Sequence, residues 1–210
     1  LMMQVTARLP ELAFPSLVEM HVRGESDLLK RRFMEVLTIT GGLGCALSGI
    51  LLVCNHDFIQ LWTSSNMSWG VEINIAISLF LPVIVFQKTL WYPASIAKNL
   101  GISRYVLLLE ALLFFLIVSS YPRENLSLSV IAWSLFSSCI LMSLPAFTWR
   151  TSTILNFSFG KIISQLLKIV LTVLAPVLIF AYLITLSNLP TSWLYLAGKS
   201  AAMMIIGTLC

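Results

Sequence analysis

Four ionisable side chains fall inside otherwise apolar stretches of this sequence, and they are the residues with chemistry to explain. Arg8 and Glu11 are three apart, hence on one face of a helix. Lys88 lies 11 residues before Asn99 and Glu110 lies 11 after it. At about 1.5 Å per residue, that places both at one depth if the two helices turn back near Asn99. Charges in hydrocarbon are costly, so they face a bundle interior or a water-filled cavity. Two chemistries fit them: an ion pair between helices, or a cation held out to an anionic cargo. For Arg8 and Glu11 the alternatives are a cavity-lining pair and a solvated helix end, with Pro10 opening the helix between them. For Lys88 and Glu110 they are a structural ion pair and a cationic site with Glu110 as partner. A snorkelling Lys88 would weaken both.

Enzyme signatures are absent from the sequence. There is no Ser/His/Asp arrangement, no HExxH, no pair of carboxylates at helical spacing and no phosphate-cradling glycine loop. His21 and His56 read as loop residues. Cys45, Cys54, Cys139 and Cys210 lack metal-ligand spacing and read as buried, inert thiols. No metal and no cofactor is expected.

The elements that must carry the four residues follow from composition. The 210 residues are 58% hydrophobic and only 10% charged, with a mean hydropathy of +0.92. A soluble domain holds about 25% charged residues. The runs 36–57, 125–149 and 169–198 carry no Lys, Arg or Glu until their ends, and each reaches the roughly 20 residues that cross a bilayer. The fold class is therefore an all-α, polytopic transmembrane helix bundle of about seven spans. Expected segments are Leu1–Met20, Phe33–Cys54, Val71–Pro93, Ser103–Tyr121, Leu126–Trp149, Leu167–Leu186 and Trp193–Cys210. The first is a poor span, with Arg8, Pro10, Glu11 and Pro15. Leu1 and Cys210 both lie within apolar stretches, so the chain reads as part of a larger bundle.

Connections alternate in charge. Arg23, Lys30, Arg31 and Arg32 occupy the first, Lys98 and Arg104 the third, and Arg150, Lys161 and Lys168 the fifth. The second and last loops have no Lys or Arg, and the fourth has only Arg123. The positive-inside rule puts the first, third and fifth loops in the cytoplasm, together with the C-terminus. The net charge of +4 then reflects topology and is no nucleic-acid signal. Trp62, Trp69, Trp91, Trp149 and Trp193 fall near segment ends, as an interfacial belt does. NMS at Asn66 matches a glycosylation acceptor on the expected outer side, without meaning in a bacterial chain. Ile154–Lys168 has apolar residues at helical spacing and reads as an amphipathic helix on the cytoplasmic leaflet, entering the sixth span. In GGLGCALSG, Gly41–Gly49, the pairs Gly42/Ala46, Gly44/Ser48 and Cys45/Gly49 predict close helix packing. Pro82, Pro145 and Pro176 lie within spans, as in helices that bend.

The stretch FPSLVEMHVRGESDLLKRRF resembles the recurring proline step and basic loop of polysaccharide-type, Wzx-like flippases, in the MATE-like multidrug/oligosaccharidyl-lipid/polysaccharide superfamily. The matching positions are Pro15, Leu17, Gly24, Asp27, Leu29, Lys30, Arg31 and Arg32. DFIQLWTSSN is similar to the ending of the family's next helix, with Ser for its usual glycine. KNLGISRYVLLLEALLFFLIVS resembles a cytoplasmic turn and helix start, with Glu110 at the recurrent acidic position. The family's later glycine step is missing from SVIAWSLFSSCI. The resemblance implies that residues 1–150 are about helices 8–12 of an inverted-V transporter. Residues 151–210 would be an amphipathic linker and two terminal helices. It also implies a bacterial inner-membrane protein that moves undecaprenyl-pyrophosphate-linked oligosaccharide by alternating access, for O-antigen, capsule or exopolysaccharide. Implied partners are the lipid-linked oligosaccharide, membrane lipid, a polysaccharide polymerase and a chain-length regulator, with no nucleic acid. Arg8, Glu11, Lys88 and Glu110 are the substrate-cavity candidates.

Two other function classes remain. A cation-coupled multidrug or small-molecule exporter of the same superfamily would favour acidic cavity residues, and the candidates are two bases and two acids. A membrane-embedded polysaccharide polymerase would need a large outer loop with Arg and His, which the expected loops lack.

Overall fold

The chain's apolar runs fold as helices because a backbone in hydrocarbon must satisfy its own hydrogen bonds. The computed structural model describes residues 2–63, 70–97, 101–122, 124, 126–186 and 192–209. Among them every regular element is helical. The order is α1 (Met2–Val22), α2 (Ser26–Thr63), α3 (Val71–Ile96), α4 (Gly101–Ser119), α5 (Leu128–Ser138) and α6 (Leu144–Leu155). Then come α7 (Phe159–Ile169), α8 (Ala175–Leu186) and α9 (Trp193–Leu209). A π-helical turn, Cys139–Ser143, joins α5 to α6, and a second, Val170–Leu174, joins α7 to α8. The result is an all-α bundle of seven helical rods. Five rods are long and apolar enough to cross a membrane: Ser26–Thr63, Val71–Ile96, Gly101–Ser119, Leu128–Leu155 and Phe159–Leu183. Leu194–Gly207 is apolar but shorter, and α1 falls below that apolarity.

Several boundaries differ from the sequence expectation, and α2 differs most. It begins at Ser26 and ends at Thr63, where Phe33–Cys54 was expected. Lys30, Arg31, Arg32, His56 and Asp57 are therefore helical residues, not loop residues. Ion pairs within the helix support its charged first turns, Arg32–Glu35 at 2.6 Å and Lys30–Asp27 at 3.8 Å. The turn before it is where Gly24 is needed. Gly24 sits at φ 73°, a left-handed conformation that a Cβ disfavours. Its amide donates to the His21 carbonyl and the Glu25 amide donates to that of Met20, closing α1 with a Schellman cap. Asn156 ends α6 in the same conformation, at φ 51°, and the Phe157 amide donates to the Ser152 carbonyl. The amphipathic segment thus begins at Phe159, after a break. Ile162, Leu166 and Ile169 form its buried stripe, while Phe159 and Leu167 are exposed. Position 150, the expected boundary between two portions, falls within α6. Asn66, Trp69, Lys98, Asn99, Arg123 and Cys210 lie outside the described residues.

The two π turns have a common cause. Pro145 and Pro176 have no amide to donate, and their rings press on the carbonyls four residues earlier, Leu141 and Thr172. Both carbonyls lie within the π turns. There the Leu144 and Ala175 amides reach back five residues, to Cys139 and Val170. Helix continues past each proline because the ladder is widened one turn before it.

α2 is the central mast, touching α1, α3, α7, α8 and α9. Small residues let those helices approach. A Cβ on Gly41 would overlap the Phe86 ring, and one on Gly44 would crowd Val85, both on α3. A Cβ on Gly49 would overlap Val177 and Met203 on α8 and α9, and Ala46 fills the space beside Gly207. The expected pairs Gly44/Ser48 and Cys45/Gly49 are thus at close contacts. Gly42, of the third pair, has nothing near it; Gly41 takes that role. Ser48 donates to the Ser78 carbonyl at 2.6 Å across the α2–α3 contact, and Thr151 donates to the Leu90 carbonyl at 2.7 Å between α6 and α3. α4 stands apart. Only Ser103 is buried along it, while Tyr105, Leu108, Leu112, Phe115 and Leu116 are exposed.

Gly49→Val should lower stability by about 1–3 kcal/mol through overpacking. Gly42→Ala should be neutral or raise it by up to about 1 kcal/mol, from helix propensity. Thermal unfolding of both variants in one detergent checks the contrast; equal melting temperatures would sink it.

Candidate functional site: a cleft between α1, α3 and α4

The four candidate residues occupy two neighbouring places, and they pair differently from the sequence expectation. Arg8 Nη1 donates to Glu11 Oε2 at 3.0 Å, the expected pair on one face of α1. Both side chains are exposed, and α1 runs through Pro10 and Pro15 without a break. Glu11 faces a cleft of about 430 Å³ whose other walls are α3 and α4. From α3 come Ile84, Gln87, Lys88, Trp91, Tyr92 and Ser95; from α4 comes Leu107. The Phe14 and Tyr92 rings, with centroids 5.5 Å apart, hold α1 against α3 here.

Lys88 and Glu110 do not form an ion pair among the described residues. Their common depth is nevertheless right. Glu110 is bonded by the residue next to Lys88: Gln87 Nε2 donates to Glu110 Oε2 at 3.0 Å. Adjacent helical residues point about 100° apart, so only one of the two can face α4 and α5. Gln87 does, and Lys88 turns into the cleft. Ser143 Oγ donates to the same carboxylate oxygen, and Cys139 Sγ approaches Gln87 Oε1 at 3.5 Å. Ser143 and Cys139 are the two ends of the first π turn. The Glu110 carboxylate is thus held by an amide and a hydroxyl, with no cation beside it.

Lys88 has no carboxylate within ion-pair distance among the described residues. Glu11 shares its cleft but is engaged by Arg8. Lys88 is therefore the cation of the lining, and the carboxylate across the cleft from it, Glu11, is turned to Arg8 instead. Apolar walls from Ile84, Trp91 and Leu107 lie next to Lys88. Chemically, the cleft suits a molecule with an anionic group and an apolar part.

A second polar cluster escaped the sequence reading. Lys199 Nζ donates to Asp57 Oδ2 at 2.6 Å, joining α9 to the end of α2. The side chains are 11% and 16% exposed. His56 Nδ1 lies 3.6 Å from the same carboxylate, and Cys54 Sγ lies 3.4 Å from Ser200 Oγ. Asp57 was missed because α2 was ended too early. Lys199 was missed although it follows a long uncharged run and stands six residues into α9. The rule that singled out Lys88 applies to it equally. Cys45, Cys54 and Cys139 are free and buried, as expected.

Lys199→Met alone leaves Asp57 without its cation and should cost about 3 kcal/mol. The Asp57→Asn/Lys199→Met double variant should cost clearly less than the two single losses added. A double-mutant cycle by chemical unfolding in detergent reads this; strict additivity would show that the pair is not coupled.

No family model, no curated protein and no solved structure matches this chain. Its function therefore rests on the chemistry of the cleft and of the two polar clusters.

Proposed function

We propose that the chain acts as a membrane transporter for an anionic, lipid-linked oligosaccharide, a flippase of the polysaccharide type. Lys88 is the observation that carries this reading. It is an ionisable group within an apolar helix, turned into a cleft and without an ion pair among the described residues. An unpaired cation at such a level is costly and marks a path for substrate. A pyrophosphate group would supply the missing negative charge, through hydrogen bonds between charged partners. Ile84, Trp91 and Leu107 would meet the apolar part, and the exposed flank of α4 would face the lipid tail.

The rest of the proposal concerns movement and setting. Alternating access needs helices with two bends, and the π turns before Pro145 and Pro176 are the bend points. The basic residues Lys30, Arg31, Arg32, Arg150, Lys161 and Lys168 put their end of the bundle in the cytoplasm of a bacterial inner membrane. The C-terminus follows on that side. The working partners are a polysaccharide polymerase and a chain-length regulator. No residue acts as a catalyst, since the cargo crosses without a bond being broken.

A second reading rests on Glu110. A carboxylate inside the bundle, bonded by Gln87 and Ser143 and not by a cation among the described residues, is a group that a coupling cation could engage. That would suit a cation-coupled exporter of small molecules.

The experiment is complementation of a flippase-deficient bacterial strain with a matched repeat unit. Lys88→Ala should cut surface polysaccharide about tenfold or more at equal membrane abundance, as loss of a charge-assisted contact implies. Lys88→Arg should retain most of it. Full activity of Lys88→Ala would remove the flippase reading. No complementation by the wild type, together with dye export abolished by Glu110→Gln, would establish the second.

A further inference from the structure

A groove of about 650 Å³ opens between the first turns of α2 and the amphipathic α7, at the end of the bundle away from the Asp57–Lys199 pair. Lys30, Arg31 and Lys161 line it, and so do Met34, Ile39 and Phe157. Depth sorts these residues. α2 runs from its charged first turns into its apolar stretch, and α7 runs through the π turn into the α7–α8 span, so both helices enter from the same end. Gln165 Nε2 donates to Thr38 Oγ1 at 2.8 Å and ties the two helices together. Lys161 stands one turn outward of Gln165, and Lys30 and Arg31 stand about two turns outward of Thr38, roughly 10–12 Å at 1.5 Å per residue. The groove is thus basic outside and apolar towards Ile39.

Its charges are not cancelled. Two carboxylates, Asp27 and Glu35, also line it. Glu35 is held by Arg32 at 2.6 Å and reaches Arg31 only at 4.0 Å. Asp27 is almost fully exposed and meets Lys30 at 3.8 Å. Lys161 pairs with no carboxylate among the described residues, and its ammonium sits 5.3 Å from the Phe157 ring centre. In the lining itself Lys30, Arg31 and Lys161 stand against Asp27 and Glu35, one positive charge in excess, and Glu35 is engaged by Arg32 from outside the groove.

The position matches a headgroup layer. α2 has 38 residues, about 57 Å of helix, against a hydrocarbon core of about 30 Å. Its charged first turns therefore stand outside the hydrocarbon, while Ile39 falls at its edge. We propose that this groove binds one anionic phospholipid of the leaflet on that side. The phosphate lies among Lys30, Arg31 and Lys161, and an acyl chain lies along Met34 and Ile39. Basic grooves between helices at this level recognise anionic headgroups. The bound lipid would brace α7 against α2 beside the Gln165–Thr38 hydrogen bond that links their polar faces.

Native mass spectrometry of the purified full chain in neutral detergent tests this, with phosphatidylglycerol and phosphatidylcholine of equal chain length as probes. The wild type should retain one phosphatidylglycerol in preference to phosphatidylcholine. Lys161→Ala should weaken that preference about fivefold and the Lys30→Ala/Arg31→Ala/Lys161→Ala variant more. Lys161→Arg should keep it, and Arg23→Ala, outside the groove, should not change it. Lys161 is exposed, so its single variant stays informative if the triple variant does not fold. Equal retention of both lipids, or a preference unchanged in Lys161→Ala, overturns the proposal. Displacement of the lipid by millimolar inorganic phosphate also overturns it, assigning the groove to free phosphate.

Discussion

The close approach of α2 to α3, α8 and α9 is the contact on which the remaining geometry depends. Apolar side chains gain little by leaving lipid for another apolar surface, so helices in a bilayer are held by tight packing and by hydrogen bonds. Gly41 and Gly44 admit Phe86 and Val85, which fixes the rotation of α3 about its own axis. That rotation gives Gln87, and not Lys88, to Glu110, while both residues border the cleft. Gly49 and Ala46 admit Val177, Met203 and Gly207, which brings α9 close enough for Lys199 to reach Asp57. Both polar clusters are consequences of where α2 is small.

The π turn at Cys139–Ser143 adds a second constraint. A proline in mid-span must be answered by its own helix, since no water is there to take the freed carbonyl. Widening the ladder before Pro145 answers it and turns Ser143 and Cys139 towards α3 and α4. In the second π turn, before Pro176, the Thr172 hydroxyl donates to the Lys168 carbonyl of its own rod. The same backbone device thus brings polar side chains to other helices in one span and keeps its hydroxyl within the rod in the other.

Helix number and class were legible in the sequence because both follow from run length and charge. The common depth of Lys88 and Glu110 was legible too, since a count of residues from the turn measures it. Their partners were not, because partner choice depends on helix rotation to within one residue. Rotation is set by Gly41 and Gly44 meeting Phe86 and Val85, a contact between distant parts of the chain. The ends of α2 were misjudged for a different reason. Hydropathy marks where a helix meets water, whereas Lys30, Arg32, Asp27 and Glu35 keep the helix going outside the membrane by pairing with one another. Lys199 needed no structure to be noticed, only the same test that was applied to Lys88.

Asp57–Lys199, Glu110 and Lys88 differ in how their charge is answered. Asp57 and Lys199 neutralise each other at 2.6 Å and leave nothing for a ligand to supply. Glu110 is answered by hydrogen bonds from Gln87 and Ser143, with no cation within ion-pair distance among the described residues. Lys88 has neither arrangement within the described residues. A fold stabilised only by packing would gain by replacing that lysine with leucine, because no other charged residue lies between Glu72 and the end of α3. Under the proposed function, an anionic group that enters the cleft accounts for its presence there.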